Sequence, residues 1–439
     1  MRIVLSVAMA LFVTRVAQAD DIWPGFRGRG DSVANAIKVP IKWSAKENIA
    51  WRIDLPGHGQ SSPVVWKDRV FVTAVSGANR EKGHVLGIDA STGKKAWSHT
   101  FEPTQKAKWT FSVSKAAPTP IVDSDAVYAF FEGGDLLAFS HSGKLLWSRS
   151  LVKDYGEFKG NHGLGSSPAQ TKDAVVILVD HSGPSYLVAI DKKNGKNRWK
   201  TGRKSRGSWA SPVIAQRDGK AEIVVSSNGT VAGYDADKGT LLWEMDGILG
   251  NTIPSASASG DVIVVGAGIS RKGTDSAKAA KSNCCLKLVA KGGKRSFALA
   301  WSADRAISSY ATPLAYQGHA YFVNQAGVVV CVDLATGKQQ YAERIDGPCW
   351  ASPVGAGGRV YFFGKDGTTT VIKSGPSFVK VASNVLFETD GPGRPGNSAS
   401  VSGQGDYNLA SVLYGVAVVD GAIYVRSGTA LYRIGSKQP

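Results

Sequence analysis

Apolar and polar residues alternate along most of this chain in short runs, each broken within a few residues by a turn bearing glycine or aspartate. Alternation with period two marks half-buried β-strands, and runs this short exclude long amphipathic helices as the main element. Ser62-Pro63-Val64-Val65-Trp66-Lys67-Asp68-Arg69-Val70-Phe71-Val72 is the first copy of a repeating unit: a small residue and proline, an alternating strand, a turn and a second strand. The pattern restarts at Pro120, Pro168, Pro212, Pro254, Pro313 and Pro353, and in degenerate form near Val416. Successive starts lie 40 to 63 residues apart. That period belongs to propeller blades and is too long for leucine-rich or ankyrin repeats.

A second motif lies inside most units. Asp89 to Trp97 (Asp-Ala-Ser-Thr-Gly-Lys-Lys-Ala-Trp) recurs at Asp191 to Trp199 and Asp235 to Trp243, with tyrosine in the aromatic place at Asp333 to Tyr341, and one residue shorter at His141 to Trp147. The glycine precedes the aromatic by four positions in all five copies. Aspartate can accept the backbone N–H groups of a turn, and glycine takes the positive φ that a tight hairpin requires. The indole then falls on the next strand, a large flat group with one donor, suited to a seam between two sheets. Each unit therefore reads as a four-stranded antiparallel sheet, and the whole as an all-β, eight-bladed propeller. The last unit ends after three strands at Ala430 to Ile434, and Asn48 to Ile53 has the character of the missing outer strand, with Trp51 in the aromatic place. The N-terminal strand is thus expected to complete blade eight and hide two open edges. Blade five carries a basic insertion, Arg271 to Lys281. Blade seven has Gly375-Pro376-Ser377-Phe378 in place of the turn motif, and Gly391 to Asn408 reads as a long loop.

Composition and the chain start add a compartment. Arg2, the apolar stretch Ile3 to Val13 and Ala17-Gln18-Ala19 form an export leader of residues 1–19, leaving 20–439 as one propeller domain. That stretch is too short to span a bilayer, no later segment is longer, and no cysteine stands at the cleavage site, so a periplasmic or secreted protein without a lipid anchor is expected. The alternative for the leader is a buried N-terminal helix. The formal charge is +17, of which the leader holds Arg2 and Arg15. A basic surface favours acidic partners, the alternative being solubility alone. Export and the lack of a nucleic-acid-binding motif argue against nucleic acid. Cys284, Cys285, Cys331 and Cys349 show no zinc-type spacing, and their disulfide state is left open.

The tryptophan motif resembles that of the pyrrolo-quinoline quinone (PQQ) repeat propellers, and Trp23-Pro24-Gly25-Phe26-Arg27-Gly28 looks like the W-P-x-F-R-G start of many secreted members. Two branches of that family matter. Quinoprotein alcohol dehydrogenases hold PQQ and calcium at the propeller axis and use a ring formed by adjacent cysteines. A non-catalytic group, including the barrel-assembly factor of the outer membrane (BamB type), binds protein partners. The resemblance thus implies a propeller and leaves function to the site. Cys284-Cys285 matches the adjacent pair in kind, but lies past mid-chain instead of in an early blade. Neighbouring strand residues point to opposite faces, so the plainer reading is a strand with one buried thiol.

No HExxH, no histidine pair at metal spacing and no nucleophile elbow occurs in the chain. No catalytic, cofactor-binding or metal residue is assigned, and no cofactor is expected unless the chain is a PQQ-dependent alcohol or sugar dehydrogenase, which would add PQQ with calcium. Ligands of propellers bind near the axis through inter-blade loops. The loops before the strand-start prolines hold His58, Trp109, His162, Trp209, Asn251, Tyr310 and Trp350, beside Lys108, Lys159, Arg203, Lys204, Arg206 and Arg305. Aromatics with cations can stack on rings and pair with carboxylate or sulfate. The alternative is that the rings pack under the loops and the charges are solvated. The expected function is a monomeric binding scaffold for periplasmic or envelope proteins or an anionic polymer. A quinoprotein dehydrogenase and a carbohydrate-binding module stand as alternatives.

Overall fold

Glycine-rich turns and β-branched runs give the chain its sheets. The computed structural model describes residues 21–36, 38–77, 80–106, 115–160, 162–269, 276–303, 305–386 and 413–436; the expected leader and the Gly391 to Asn408 segment lie outside them. The described residues form eight antiparallel sheets in ring order. Blade one comprises Val64–Trp66, Arg69–Ser76, Lys82–Asp89 and Lys95–Phe101, the strands following one another from the axis outward. Blades two to seven repeat that order. In blade eight, Ile49–Asp54 pairs antiparallel with Ala430–Ile434 as the outer strand, so the N-terminal strand closes the ring. Among the described residues two short helices, Leu151–Tyr155 and Ser276–Lys281, interrupt the strands, the second within the blade five insertion.

The core is a ring of seams. The second strands of the blades are largely buried on both faces, as Ala174–Val179 is throughout, and the apolar clusters lie between blades. The turn motif builds the seams. The indole N–H of Trp97 donates to His141 O of the next blade (2.8 Å), Trp147 to Lys192 O (2.9 Å), Trp199 to Ala236 O (3.1 Å), Trp301 to Leu334 O (2.9 Å) and Trp51 of blade eight to Ala90 O of blade one (3.1 Å). The turn glycine lies against the same ring: a Cβ on Gly93 would meet Trp51 at 2.8 Å, and one on Gly195 would meet Trp147 at 2.8 Å. Glycine is therefore required twice over, for its positive φ (+72° and +71°) and for the indole of the preceding blade.

A belt of hydroxyls joins the inner strands at their starts. Ser62 N–H donates to Thr119 Oγ1 (3.0 Å), Thr119 to Ser167 Oγ (3.0 Å), Ser167 to Ser211 Oγ (2.9 Å), Ser211 to Ser255 Oγ (2.8 Å), Ser255 to Thr312 Oγ1 (3.1 Å) and Thr312 to Ser352 Oγ (3.1 Å). The series stops at Gly415 of blade eight, where a Cβ would strike Ser62.

The axis is filled by the chain's own start. Ile22–Trp23 pairs antiparallel with Val64–Trp66 of blade one, and Val33–Ala34 pairs parallel with Val354–Ala356 of blade seven. Between them Pro24 O accepts from Val122 N–H of blade two, and Arg27 donates to Ala256 O (2.9 Å) and Ser257 Oγ (2.7 Å) of blade five. The chain then leaves beside the turn between the first and second strands of blade eight, where Lys38 N–H meets Asp420 Oδ1 (2.9 Å), and continues to the outer edge of blade seven through Trp43 and Asn384 (2.9 Å).

Candidate functional site: the loop face

The loops that enter each inner strand and the turns between the second and third strands of each blade share one face, because they touch: His58 bridges Val75, Cys349 bridges Gly364, and Ile345 N–H donates to Gly327 O. The aspartate–glycine turns occupy the opposite face. The sequence-predicted residues of the loop face separate into distinct groups.

The exposed Trp350 and the half-buried Tyr310 and Lys365 form one group over blades six and seven. The rings of Tyr310 and Trp350 lie 4.8 Å apart at 51°, and the Lys365 ammonium stands 3.7 Å from the Trp350 ring centroid. Trp350 keeps 38% of its surface exposed, unusual for an indole in this chain. Partial burial lowers the Lys365 pKa. Lys365 falls outside the loop pattern, because it lies in the turn between the second and third strands of blade seven; the spacing Gly364 to Gly367 is the available signal.

Over blades three and four, His162 is exposed with its ring 5.6 Å from that of Trp209, whose indole donates to Gly163 O (3.0 Å). Arg206 donates to Thr230 Oγ1 (2.6 Å) and Lys204 is exposed. Arg203 sits nearby but directs its charge inward: it pairs with Asp180 (3.1 Å) and also reaches Tyr234, with the Arg203 and Asp180 side chains 2% and 0% exposed. Asn251 is fully buried and braces a turn, accepting from Gly229 N–H (3.0 Å) and donating to Ser226 Oγ and Thr230 O. Both are held in internal networks. Arg305 is exposed beside a groove of about 240 Å³ lined by Ser302, Val330, Val332 and Gln339. His58 is half-buried at its bridge to Val75. Lys108 and Trp109 lie outside the described residues.

A further group was not legible in sequence. Glu132 accepts from Ala116 N–H (2.9 Å) and is pushed up to about 7 by burial, against the pull of that N–H and of Arg80 and Lys115. Burial lowers Lys115 to about 8, with Arg80 adding to the shift. Arg80 and Ala116 both hold positive φ (55° and 45°), a conformation costly for residues with a Cβ.

The axial cofactor implied by the dehydrogenase branch does not fit this chain. Residues 22–34 fill the axis where it would lie. Cys284 packs into the blade four–five seam and Cys285 into the blade five–six seam, both as buried free thiols pushed up to about 12. The pair thus faces two seams, with both thiols buried instead of one. Among the described residues no group of three or more His, Cys, Asp and Glu side chains is placed to hold a metal ion.

Comparison with known proteins agrees with this architecture. The family described as outer membrane protein assembly factor BamB matches residues 41–163, 142–279 and 287–375. The BamB of Moranella endobia (strain PCIT) is 27% identical over 158 residues, 36% of this chain and 36% of that protein. A polyvinylalcohol dehydrogenase of Pseudomonas sp is 22% identical over 237 residues, 45% of this chain and 34% of that protein. The chain thus spans about a third of the length of either sequence relative. The crystal structure of BamB from Moraxella catarrhalis superposes with a TM-score of 0.58 at 14% identity, covering 89% of this chain and 98% of that one. The quinohemoprotein alcohol dehydrogenase of Comamonas testosteroni gives 0.60 at 13% identity, covering 97% and 82%. These likenesses, with the seams and eight sheets above, lead to one assignment: the chain belongs to the BamB-type family of PQQ-repeat propellers.

Proposed function

We propose that this chain is an exported, non-catalytic binding scaffold of the cell envelope. Residues 1–19 are its leader, and residues 20–439 act as one monomeric propeller domain in the periplasm or outside the cell. The loop face holds an acidic segment of an envelope protein. The observation that carries this reading is the exposed Trp350 with Tyr310 beside it and the Lys365 ammonium over its ring. An apolar plane next to a cation suits a chain that alternates aromatic or aliphatic residues with carboxylates. Lys204, Arg206 and Arg305 add cations on the same face. The BamB-type relatives support a scaffold role, and among the described residues no helix is long and apolar enough to cross a membrane.

Trp350→Ala with Lys365→Glu, and separately Lys204→Glu with Arg206→Glu, test it. Each pair is expected to weaken salt-sensitive capture of acidic envelope proteins at least tenfold. Unchanged capture by both would count against the reading. Retention on heparin that falls while protein capture stays constant would favour an anionic polymer, and saturable binding of a neutral glycan would favour a carbohydrate module. The relative named as a polyvinylalcohol dehydrogenase keeps a second reading worth testing: reconstitution with PQQ and calcium, followed by alcohol-dependent dye reduction, would replace the scaffold by an enzyme if turnover appeared.

A further inference from the structure

The axial segment is recognised in the way a peptide ligand is recognised. Its backbone pairs with two inner strands, antiparallel at Ile22–Trp23 and parallel at Val33–Ala34. Two side chains anchor it: Trp23 is 2% exposed and Arg27 is 4% exposed. Arg27 uses all three of its nitrogens, Nε to Ser32 Oγ within the segment (3.2 Å), Nη1 to Ala256 O and Nη2 to Ser257 Oγ on the channel wall. Burial lowers its pKa to about 10, still charged at neutral pH. The turn between the two paired ends is compact, with Gly28 N–H on Gly25 O, Gly30 on Arg27 O and Ser32 on Arg27 O. It fits the wall closely, since a Cβ on Gly30 would meet Val213 Cγ2 at 2.6 Å.

The ring has closure elements outside this segment. Ile49–Asp54 completes blade eight, and the hydroxyl belt ties blades one to seven. The two roles of the N-terminal region are separate in sequence, and the link between them runs past the buried Val39 and Trp43, whose N–H is held by Asn384, to the exposed residues Lys46, Glu47 and Asn48.

We propose that the axial channel is a peptide-binding site and that residues 22–34 are its ligand, supplied in cis. The ligand class is an extended peptide bearing tryptophan and, four residues on, arginine, in a W-P-x-F-R-G context. Such a peptide is bound by the folded ring even when no covalent link holds it. In the intact chain the channel is self-occupied, which closes the axis to any other ligand. This proposal is independent of what the loop face binds.

The test is a nick. A site-specific protease sequence is inserted between Lys46 and Glu47 of the mature chain, the protein is cut, and the product is passed through size exclusion. The expected result is that the fragment ending at the cut co-elutes with the ring and separates from it only in denaturant. In the Arg27→Ala version, loss of a charged donor's hydrogen bonds should speed fragment release roughly tenfold or more. In the Gly30→Val version the fragment should leave on cutting, while far-ultraviolet circular dichroism shows an intact ring. Departure of the unmodified fragment from a folded ring would overturn the proposal. Unfolding of the ring on cutting would overturn it as well, since the segment would then be a part of the fold and no ligand.

Discussion

Two seams of the same ring solve one packing problem differently. Between blades three and four, Trp199 donates to a backbone carbonyl, Ala236 O, under a glycine turn, and Thr201 Oγ1 donates to Gly239 O (2.7 Å). Between blades four and five there is no such turn: blade five folds back through Gly292 and Gly293, around which a Cβ would meet nothing within 4 Å. Trp243 turns its indole instead to Glu222 Oε2 (3.0 Å) of its own blade. Arg295 of blade five then reaches across to Ala221 O (3.1 Å), to Glu222 (3.7 Å) and to Asp235, and Phe297 packs 5.1 Å from the indole. One seam is set by backbone shape, the other by charge. A shape-set seam tolerates changes in salt and fails when a small residue grows. A charge-set seam tolerates growth at its turn and fails when one partner of the buried pair is lost.

The largest effect should come from the charged seam. Glu222 is fully buried, so Glu222→Ala leaves Trp243 without its acceptor and Arg295 without part of its counter-charge. The expected loss is about 3 kcal/mol, read from denaturant melts. Gly195→Ala, in the shape-set class, should cost about 2 to 3 kcal/mol, because φ of +71° and the Trp147 ring both oppose a methyl group. Gly292→Ala is the matched control: φ is +57° but space is open, and about 1 kcal/mol is expected. Equal losses at the two glycines would remove the distinction between the seams. Trp199→Phe keeps most of the apolar area and deletes one hydrogen bond, for about 1 kcal/mol.

This contrast also marks how far the residues alone could be read. Asp, Gly and Trp at fixed spacing are local signals, so the blades, their number and the closing strand Ile49–Asp54 were legible. The serine or threonine beside each strand-start proline was visible as a small residue, yet its role as a hydroxyl donated to by the neighbouring blade depends on ring closure. The same holds for Trp23 and Arg27, whose partners lie in blades one and five, the latter 229 positions away. On the loop face, residue type located Tyr310 and Trp350, but it could not tell the exposed Lys204 from Arg203, which Asp180 holds inside. Whether a cation is free is decided by a carboxylate on another strand, and spacing carries no record of it.

The two faces of the propeller should part company in their response to pH. On the turn face, Asp89 accepts from Ser91 Oγ (2.7 Å), Thr92 Oγ1 (2.8 Å) and two backbone N–H groups, which lowers its pKa from 3.8 to about 2, the Ser91 bond contributing most. A depressed carboxylate stabilises the fold above its unfolded value, and that contribution disappears as pH falls from about 3.8 towards 2. On the loop face, Glu132 is raised from 4.5 to about 7 by burial. The folded state there holds a proton that the unfolded chain has released, so stability declines as pH rises from about 4.5 to 7. Asp89→Asn should flatten the acid limb of a plot of Tm against pH and leave the neutral limb alone. Glu132→Gln should do the reverse, keeping a hydrogen-bond acceptor for Ala116 N–H while removing the titration. If Glu132→Gln shifted Tm by the same amount at pH 5 and pH 8, the burial that raises this carboxyl would not be felt in solution, and its neighbours Arg80 and Lys115 would be neutralising it in full.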